Sequence, residues 1–309
     1  MPNLKKNNNP SVVVILSTYN GEKYIAEQLE SLKNQSLKPS YVFVRDDGSS
    51  DRTVEILKKW NETTDGWLIW YQGANCGPAK SFMEAMEKAP HADYYSFCDQ
   101  DDVWDIDKIE QAVRYLESSN KEFKVYVSNV ALADGELKIY GQTKFRSNTT
   151  IQSALMYNQA IGCTMVINSA LKNKIIEYKP EYMVMHDCWI YRVCASLGGE
   201  LIFDKEYHMK YRQHEQNFSG GSKNNIQIWK KRIKSLFGRK KHMRKMIAKE
   251  LLNGYKTIMP DDIRKIVNKF ATYDMSFKNK RTLLKDKEIY SESHFGNLGI
   301  KLSILFGML

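Results

Sequence analysis

Three short polar clusters hold residues whose types and spacing suit chemistry on a charged small molecule. They are Thr18-Tyr19-Asn20-Gly21-Glu22, Asp46-Asp47-Gly48-Ser49 and Asp99-Gln100-Asp101-Asp102. The last is the sharpest. Asp99 and Asp101 stand one residue apart behind an apolar run, a spacing that lets two carboxylates share a hard divalent cation. Mg²⁺ or Mn²⁺ takes oxygen ligands, typically one or two carboxylates together with substrate phosphates. Such a cation offsets diphosphate charge and stabilises it as a leaving group. An acidic turn that merely caps a helix at Asp105 is the alternative. A carboxylate at 46–47 suits a base N–H or a ribose hydroxyl. Asp, Gly and Ser would equally make a strand-to-helix turn there, and 18–22 poses the same ambiguity.

The elements that must position these clusters are legible around them. Residues 11–17 (SVVVILS) form a continuous β-branched run, as expected of a strand buried on both faces. Ile25, Leu29 and Leu32 then fall on one helical side. Residues 41–45 make a second strand, and a helix with Val54, Leu57 and Trp60 follows, its start capped by Ser49 or Ser50. The alternation continues with a strand at 68–71, a helix at 79–89, a strand at 94–98 and a helix at 105–117. Beyond residue 130 it loosens, with strands expected at 162–167 and 200–211 and a helix at 185–197. This pace predicts an α/β fold with a doubly wound, mostly parallel sheet. Ligands bind such sheets beyond the carboxyl ends of the strands. All three clusters directly follow strands, so they are expected to share one site.

Composition bounds the rest. The 309 residues include five cysteines, Cys76, Cys98, Cys163, Cys188 and Cys194, with no C-x-x-C pair. A disulfide framework and a zinc site are therefore not expected, and a reducing, cytoplasmic setting fits. No apolar run approaches the roughly 20 residues that span a bilayer. Residues 1–10 lack the apolar core of a secretory signal and read as a disordered N-terminus. The net charge of +10 is unevenly placed. Residues 1–220 hold 25 Lys+Arg against 29 Asp+Glu, whereas residues 221–309 hold 21 against 7. That shift, beside the S-G-G-S run at 219–222, sets an expected boundary between a catalytic domain (11–220) and a basic helical C-terminal region (221–309).

Taken together, SVVVILSTYNGEKYIAEQLESLKNQS, VRDDGSSDRTVEIL and SFCDQDDVW resemble the nucleotide-binding half of family 2 glycosyltransferases. The resemblance implies the GT-A fold, an inverting transfer from a nucleoside-diphosphate sugar, and Mg²⁺ or Mn²⁺ as cofactor. It implies that Thr18, Tyr19, Asn20, Glu22, Asp46 and Asp47 hold the nucleoside, with Asp99 and Gln100 beside them. Asp99 and Asp101 become the D-x-D pair at the metal. The segment 75–80 (NCGPAK) is similar to the loop before the third helix, where Lys80 would approach the nucleotide, though a solvated lysine is an equal reading. Further on, H-D-C-W at 186–189 and Y-R-Q-H-E-Q-N at 211–217 resemble bacterial rhamnosyltransferases of surface polysaccharides. By that likeness Asp187 is the catalytic base, Arg212 and His214 attend the leaving diphosphate, and His214 reaches the metal. Many relatives carry Glu-Asp where this chain has His186-Asp187, so only the aspartate is carried over. The Q-x-x-R-W pattern of processive synthases is absent, which favours single additions.

The likeness implies a dTDP- or UDP-linked donor of rhamnose or a hexose, and a glycan or polyprenyl-linked acceptor. Residues 223–249 hold eleven Lys or Arg and no acid, with Ile226, Trp229, Ile233 and Leu236 at helical spacing. A second stripe runs through Met243, Met246, Ile247 and Leu251. Peripheral membrane contact through 223–258, at the inner face of the plasma membrane, is expected from this pattern. Packing on the domain or on a second copy in a homodimer is the alternative. No nucleic-acid reader module is present. A nucleotidyltransferase and a non-catalytic membrane-binding scaffold are the competing functions.

Overall fold

The computed structural model describes residues 9–144, 149–158, 160–213, 242–290 and 294–309. Its nine strands form one sheet in the order β3-β2-β1-β4-β8-β6-β9-β5, with β7 paired to β6. β1 (Val12–Thr18), β2 (Tyr41–Asp46), β3 (Leu68–Gln72) and β4 (Tyr94–Cys98) are mutually parallel. Helices α1 (Ile25–Lys33), α2 (Thr53–Thr63) and α3 (Pro78–Lys88) connect them. The order runs outward from β1 to β3, then returns to place β4 on the other flank of β1. The switch point between β1 and β4 opens a crevice at their carboxyl ends.

Side-chain alternation explains why β1 is apolar from Val12 to Leu16. Val13 and Ile15 enter one core, with Phe43, Phe97 and the α3 residues Phe82, Ala85 and Met86. Val12, Val14 and Leu16 enter the opposite core, with Leu29 and Leu32 of α1, Leu57 of α2 and Ile109, Val113 and Leu116 of α4 (Lys108–Glu117). Period 2 along the strand feeds both layers, so neither face tolerates a polar residue.

The second half is mixed. β8 (Val166–Asn168) is antiparallel to β4 and to β6 (Lys124–Ala133). β6 runs parallel to the long β9 (Glu200–Arg212), and β5 (Val103–Trp104) is antiparallel to β9. Three expectations shift here. Residues 162–164 make a 3-10 turn, and only 166–168 are strand. The fourth helix begins at Lys108, because 103–104 are drawn onto β9. The second helix begins at Thr53 after Arg52, and Ser49 is bonded to Asp46 instead of capping it.

α5 (Ile151–Met156), α6 (Ser169–Ile176) and α7 (His186–Ser196) pack on the β4–β6 side. Every residue of α7 is buried, since the sheet covers one side and later helices the other. The later helices are α8 (Met243–Tyr255), α9 (Asp261–Thr272), α10 (Phe277–Leu284) and α11 (His294–Leu305), of which α8 and α9 pack on α7. Ile247, Leu251, Tyr255, Val267 and Phe270 join the same apolar cluster as Trp189 and Ile190. Of the stripe expected at 243–251, Ile247 and Leu251 are buried and Met243 packs on the same cluster, whereas Met246 is exposed. His214 and the basic run 223–241 lie outside the described residues. Among the described residues, no helix is long and apolar enough to cross a membrane.

Candidate active site

The crevice is closed by hydrogen bonds between residues far apart in sequence. Thr18 ends β1 and donates from Oγ1 to Gln100 Oε1 at 2.5 Å, while the Tyr19 N–H donates to the same oxygen at 2.8 Å. Gln100 Nε2 returns a bond to the Tyr19 carbonyl at 3.1 Å. Gln100 therefore staples the β1 turn to the acidic turn. Asn20 adopts φ 48°, a left-handed conformation that Asn tolerates. Its N–H donates to Ser49 Oγ at 2.8 Å, and its Oδ1 accepts the Ser50 N–H at 2.9 Å. Glu22 Oε2 accepts the Arg52 N–H at 3.0 Å. Asn20 and Glu22 thus join the two loops, whereas Tyr19 is half exposed and presents an open ring.

Asp46 and Asp47 are both buried. Asp46 Oδ2 accepts from the Ser49 N–H and from Gln72 Nε2, each at 2.9 Å. Asp47 accepts the Cys76 and Gly77 N–H groups at 2.9 Å and is ion-paired with buried Arg45. Burial alone would raise its pKa, but these donors together hold the carboxyl below the usual range. Asp47 thereby fixes the loop that leads into α3. Lys80 is exposed on that helix and lines a cavity of about 410 Å³ with Cys76, Met83, Glu84, Tyr178 and Met183.

The acidic turn is less satisfied. Burial first, then the carboxylates of Asp101 and Asp187, push the Asp99 pKa up to about 7. Asp102 is buried and raised well above the carboxylate range by burial and by Asp101 and Asp99. Its Oδ1 accepts the Arg212 N–H at 3.2 Å. Among the described residues, Asp99, Asp102 and Cys163 bring donor atoms within 4.8 Å of one another, which adds Asp102 to the expected pair of Asp99 and Asp101. The donor set fits a hard cation through its carboxylates. The Cys163 thiol, raised by burial and the same carboxylates, remains protonated. Behind the turn lies a group that the sequence did not reveal. Lys108 is fully buried, with Nζ 3.4 Å from the Trp104 ring centroid, and burial lowers its pKa to about 8.

Asp187 sits in the first turn of α7, where the helix dipole favours a negative charge. Its Oδ1 accepts the Cys188 N–H at 2.6 Å and its Oδ2 the Asn158 amide at 3.4 Å. Asn158 was also missed, since no motif marks it. His186 is stacked on Phe82 with ring centroids 4.1 Å apart. Burial lowers its pKa to about 4, so it stays neutral beside Asp187. Asp187 Cβ lies 3.5 Å from where a Cβ on Gly162 would stand, and the next residue, Cys163, is grouped with Asp99 and Asp102, so Asp187 and Asp99 share one neighbourhood.

Arg212, expected at the leaving group, is bonded to the acidic turn. Its buried guanidinium donates to the Asp101 carbonyl at 2.9 Å, to the Gly135 carbonyl and to Glu27, and lies 4.6 Å from the Tyr24 ring centroid. It ties the acidic turn to α1 and β9, because these protein groups surround its donors. These contacts give it a positioning role at the acidic turn, beside the leaving-group role that the resemblance implies.

A sequence model described as Glycosyl transferase family 2 matches residues 13–196. The chain belongs to that family. It is 29% identical over 225 residues to a dTDP-rhamnosyl transferase, RfbG, of Shigella flexneri, covering 67% of this chain and 74% of that protein. Among solved structures, Staphylococcus aureus TarS 1–349 in complex with UDP-GlcNAc superposes with a TM-score of 0.58 at 20% identity, over 97% of this chain and 82% of that one. A Pyrobaculum calidifontis mannosyltransferase in complex with GDP-Man and Mn²⁺ gives 0.51 at 14% identity, over 97% and 88%. These likenesses establish the GT-A fold. Family membership makes the chain a glycosyltransferase and sets aside both the nucleotidyltransferase and the inert scaffold.

Proposed function

We propose that this glycosyltransferase moves one sugar, rhamnose or a hexose, from a dTDP- or UDP-linked donor onto a glycan or lipid-linked hydroxyl, with inversion. The observation that supports this reading is that Asp187 lies against Gly162, next in the chain to the Cys163 whose thiol is grouped with Asp99 and Asp102. The likeness to a dTDP-rhamnosyl transferase supports the donor class; a place in surface polysaccharide synthesis, in the cytoplasm at the inner membrane face, is part of the same proposal.

Residues of this chain then divide the work. The open ring of Tyr19 offers a face to the base, and the 46–49 turn, held by its internal bonds, shapes the cradle around the nucleoside. Asp99, with Asp101 or Asp102, would hold Mg²⁺ or Mn²⁺, which supplies positive charge against the diphosphate. The acceptor oxygen attacks the anomeric carbon as the bond to the diphosphate oxygen breaks and its electron pair leaves with the diphosphate. Asp187 accepts the acceptor's proton. The Asn158 amide and the Cys188 N–H keep its carboxylate oriented, and neutral His186 excludes water beneath it.

A screen of nucleotide sugars with Mn²⁺ tests this. Release of free nucleoside diphosphate and a glycosylated product is expected with one dTDP or UDP donor. Retained anomeric configuration in that product would overturn the inverting displacement.

A further inference from the structure

The C-terminal helices leave one apolar crown exposed. Met275 (75% exposed) and Phe277 (76%) stand at the start of α10, and Phe306 (70%) follows the end of α11. Leu298, Leu302 and Leu305 form an exposed stripe along α11 at helical spacing. The two groups are adjacent. Lys280 Nζ donates to the Leu305 carbonyl at 2.6 Å, and the Leu309 N–H donates to the Tyr273 hydroxyl at 2.8 Å. Isolated exposed hydrophobes are ordinary, but a contiguous group marks a contact surface.

Its charge identifies the occupant. Residues 275–309 contain Lys278, Lys280, Arg281, Lys285, Lys287 and Lys301 against three acids. Lys278, Arg281, Lys285 and Lys301 are exposed on the same two helices as the crown. Protruding Phe and Leu side chains with Lys and Arg beside them suit an anionic lipid surface, where apolar groups enter the acyl boundary and cations stay at the headgroups.

We propose that the face formed by 275–281 and 298–306 docks on an anionic bilayer. This deepens the reading above by naming the membrane-facing surface, and it moves that surface away from the largely buried stripe of α8. The crown is also linked to the catalytic half. The Tyr157 hydroxyl, one residue before Asn158, donates to the Tyr290 carbonyl just before α11.

The test is co-sedimentation of the full chain with vesicles of phosphatidylglycerol and phosphatidylcholine, compared with phosphatidylcholine alone. Wild type is expected to bind the anionic vesicles selectively. The Phe277→Ser/Phe306→Ser variant should lose about tenfold or more in partitioning, and Lys278→Glu/Arg281→Glu should lose the salt-sensitive part. These side chains are exposed, so thermal melting should be unchanged. Wild type failing to bind, or full binding retained by the Phe variant, overturns the proposal. So does a wild-type dimer in sedimentation velocity that the Phe variant converts to monomer without lipid, because the crown would then cover a second copy. Nucleoside diphosphate release without vesicles is expected to be intact in both variants, so transferase activity and docking are judged separately.

Discussion

Two acidic turns close the parallel strands on either side of β1, and they behave in opposite ways. After β2, Asp46 and Asp47 are met by Ser49, Gln72, Arg45 and the N–H groups of Cys76 and Gly77. After β4, burial and then the carboxylates of Asp101 and Asp187 drive Asp99 up to about 7, against a bond to Cys163. The first turn is complete within the protein and acts as architecture. The second keeps carboxylates close together, and the buried cation described nearby, Lys108 against Trp104, is itself depressed to about 8. A site built to receive a cation has this second character, because crowded carboxylates are stabilised only when positive charge arrives.

The largest expected effect tests the crowded side. Asp187→Asn should lower kcat by about 10²–10⁴-fold, the usual worth of a positioned base, with nucleotide affinity unchanged in a binding titration. Unaltered kcat would remove Asp187 as the base. Next, Asp47→Ala should cost about 3 kcal/mol of unfolding free energy, read by denaturant titration, because buried Arg45 loses its closest partner. The value is set at the low end because Glu84 still lies 3.0 Å from Arg45.

Asp99→Asn should do the reverse of Asp47→Ala when metal is absent. The raised pKa means that ionising Asp99 costs more in the folded than in the unfolded chain. That penalty is absent below the ordinary carboxylate pKa of about 4, grows through about 7 and is complete above it. The variant should therefore melt higher than wild type at pH 8, with the gain vanishing near pH 4. The same variant should lose Mn²⁺-dependent nucleotide binding. A lower melting temperature at pH 8 would make the two turns alike and dissolve the contrast.

The smallest effect concerns the brace behind the acidic turn. His208 bridges Asp107 and Asp204, with Nε2 3.1 Å from Asp204. Burial opposes its charge, but the two carboxylates prevail and raise its pKa above 6.5. Its contribution is present below 6.5 and is lost as pH rises through the folded value. His208→Gln should flatten that decline in melting temperature between pH 6 and 8 by about one degree or a few. An unchanged slope would show that β5 and β9 are held without the imidazolium.

Much of this contrast was not visible in the chain. Asp46-Asp47 and Asp99 to Asp102 look alike as acidic runs after apolar strands. Their difference comes from Arg45 and the 76–77 loop on one side and from Asp187 on the other. Gln100 stood inside a motif, yet its bond to Thr18 exists only because β4 lies beside β1. Arg212 carried the signal of a phosphate ligand, but Glu27 and two carbonyls surround it. Asn158 and Lys108 carried no signal at all.

By itself the sequence determined the local periods. Period-2 apolar runs with β-branched residues specified buried strands, 3.6-residue stripes specified the helices between them, and polar strand ends specified one reactive edge. These follow from interactions within a few residues, so the order of residue types suffices. Tertiary structure alone decided which carboxylates are neutralised, which face of the C-terminal helices is covered, and what each buried cation touches. Those properties depend on desolvation and on Coulomb interactions between groups distant in the chain, and they exist only once the sheet has brought them together.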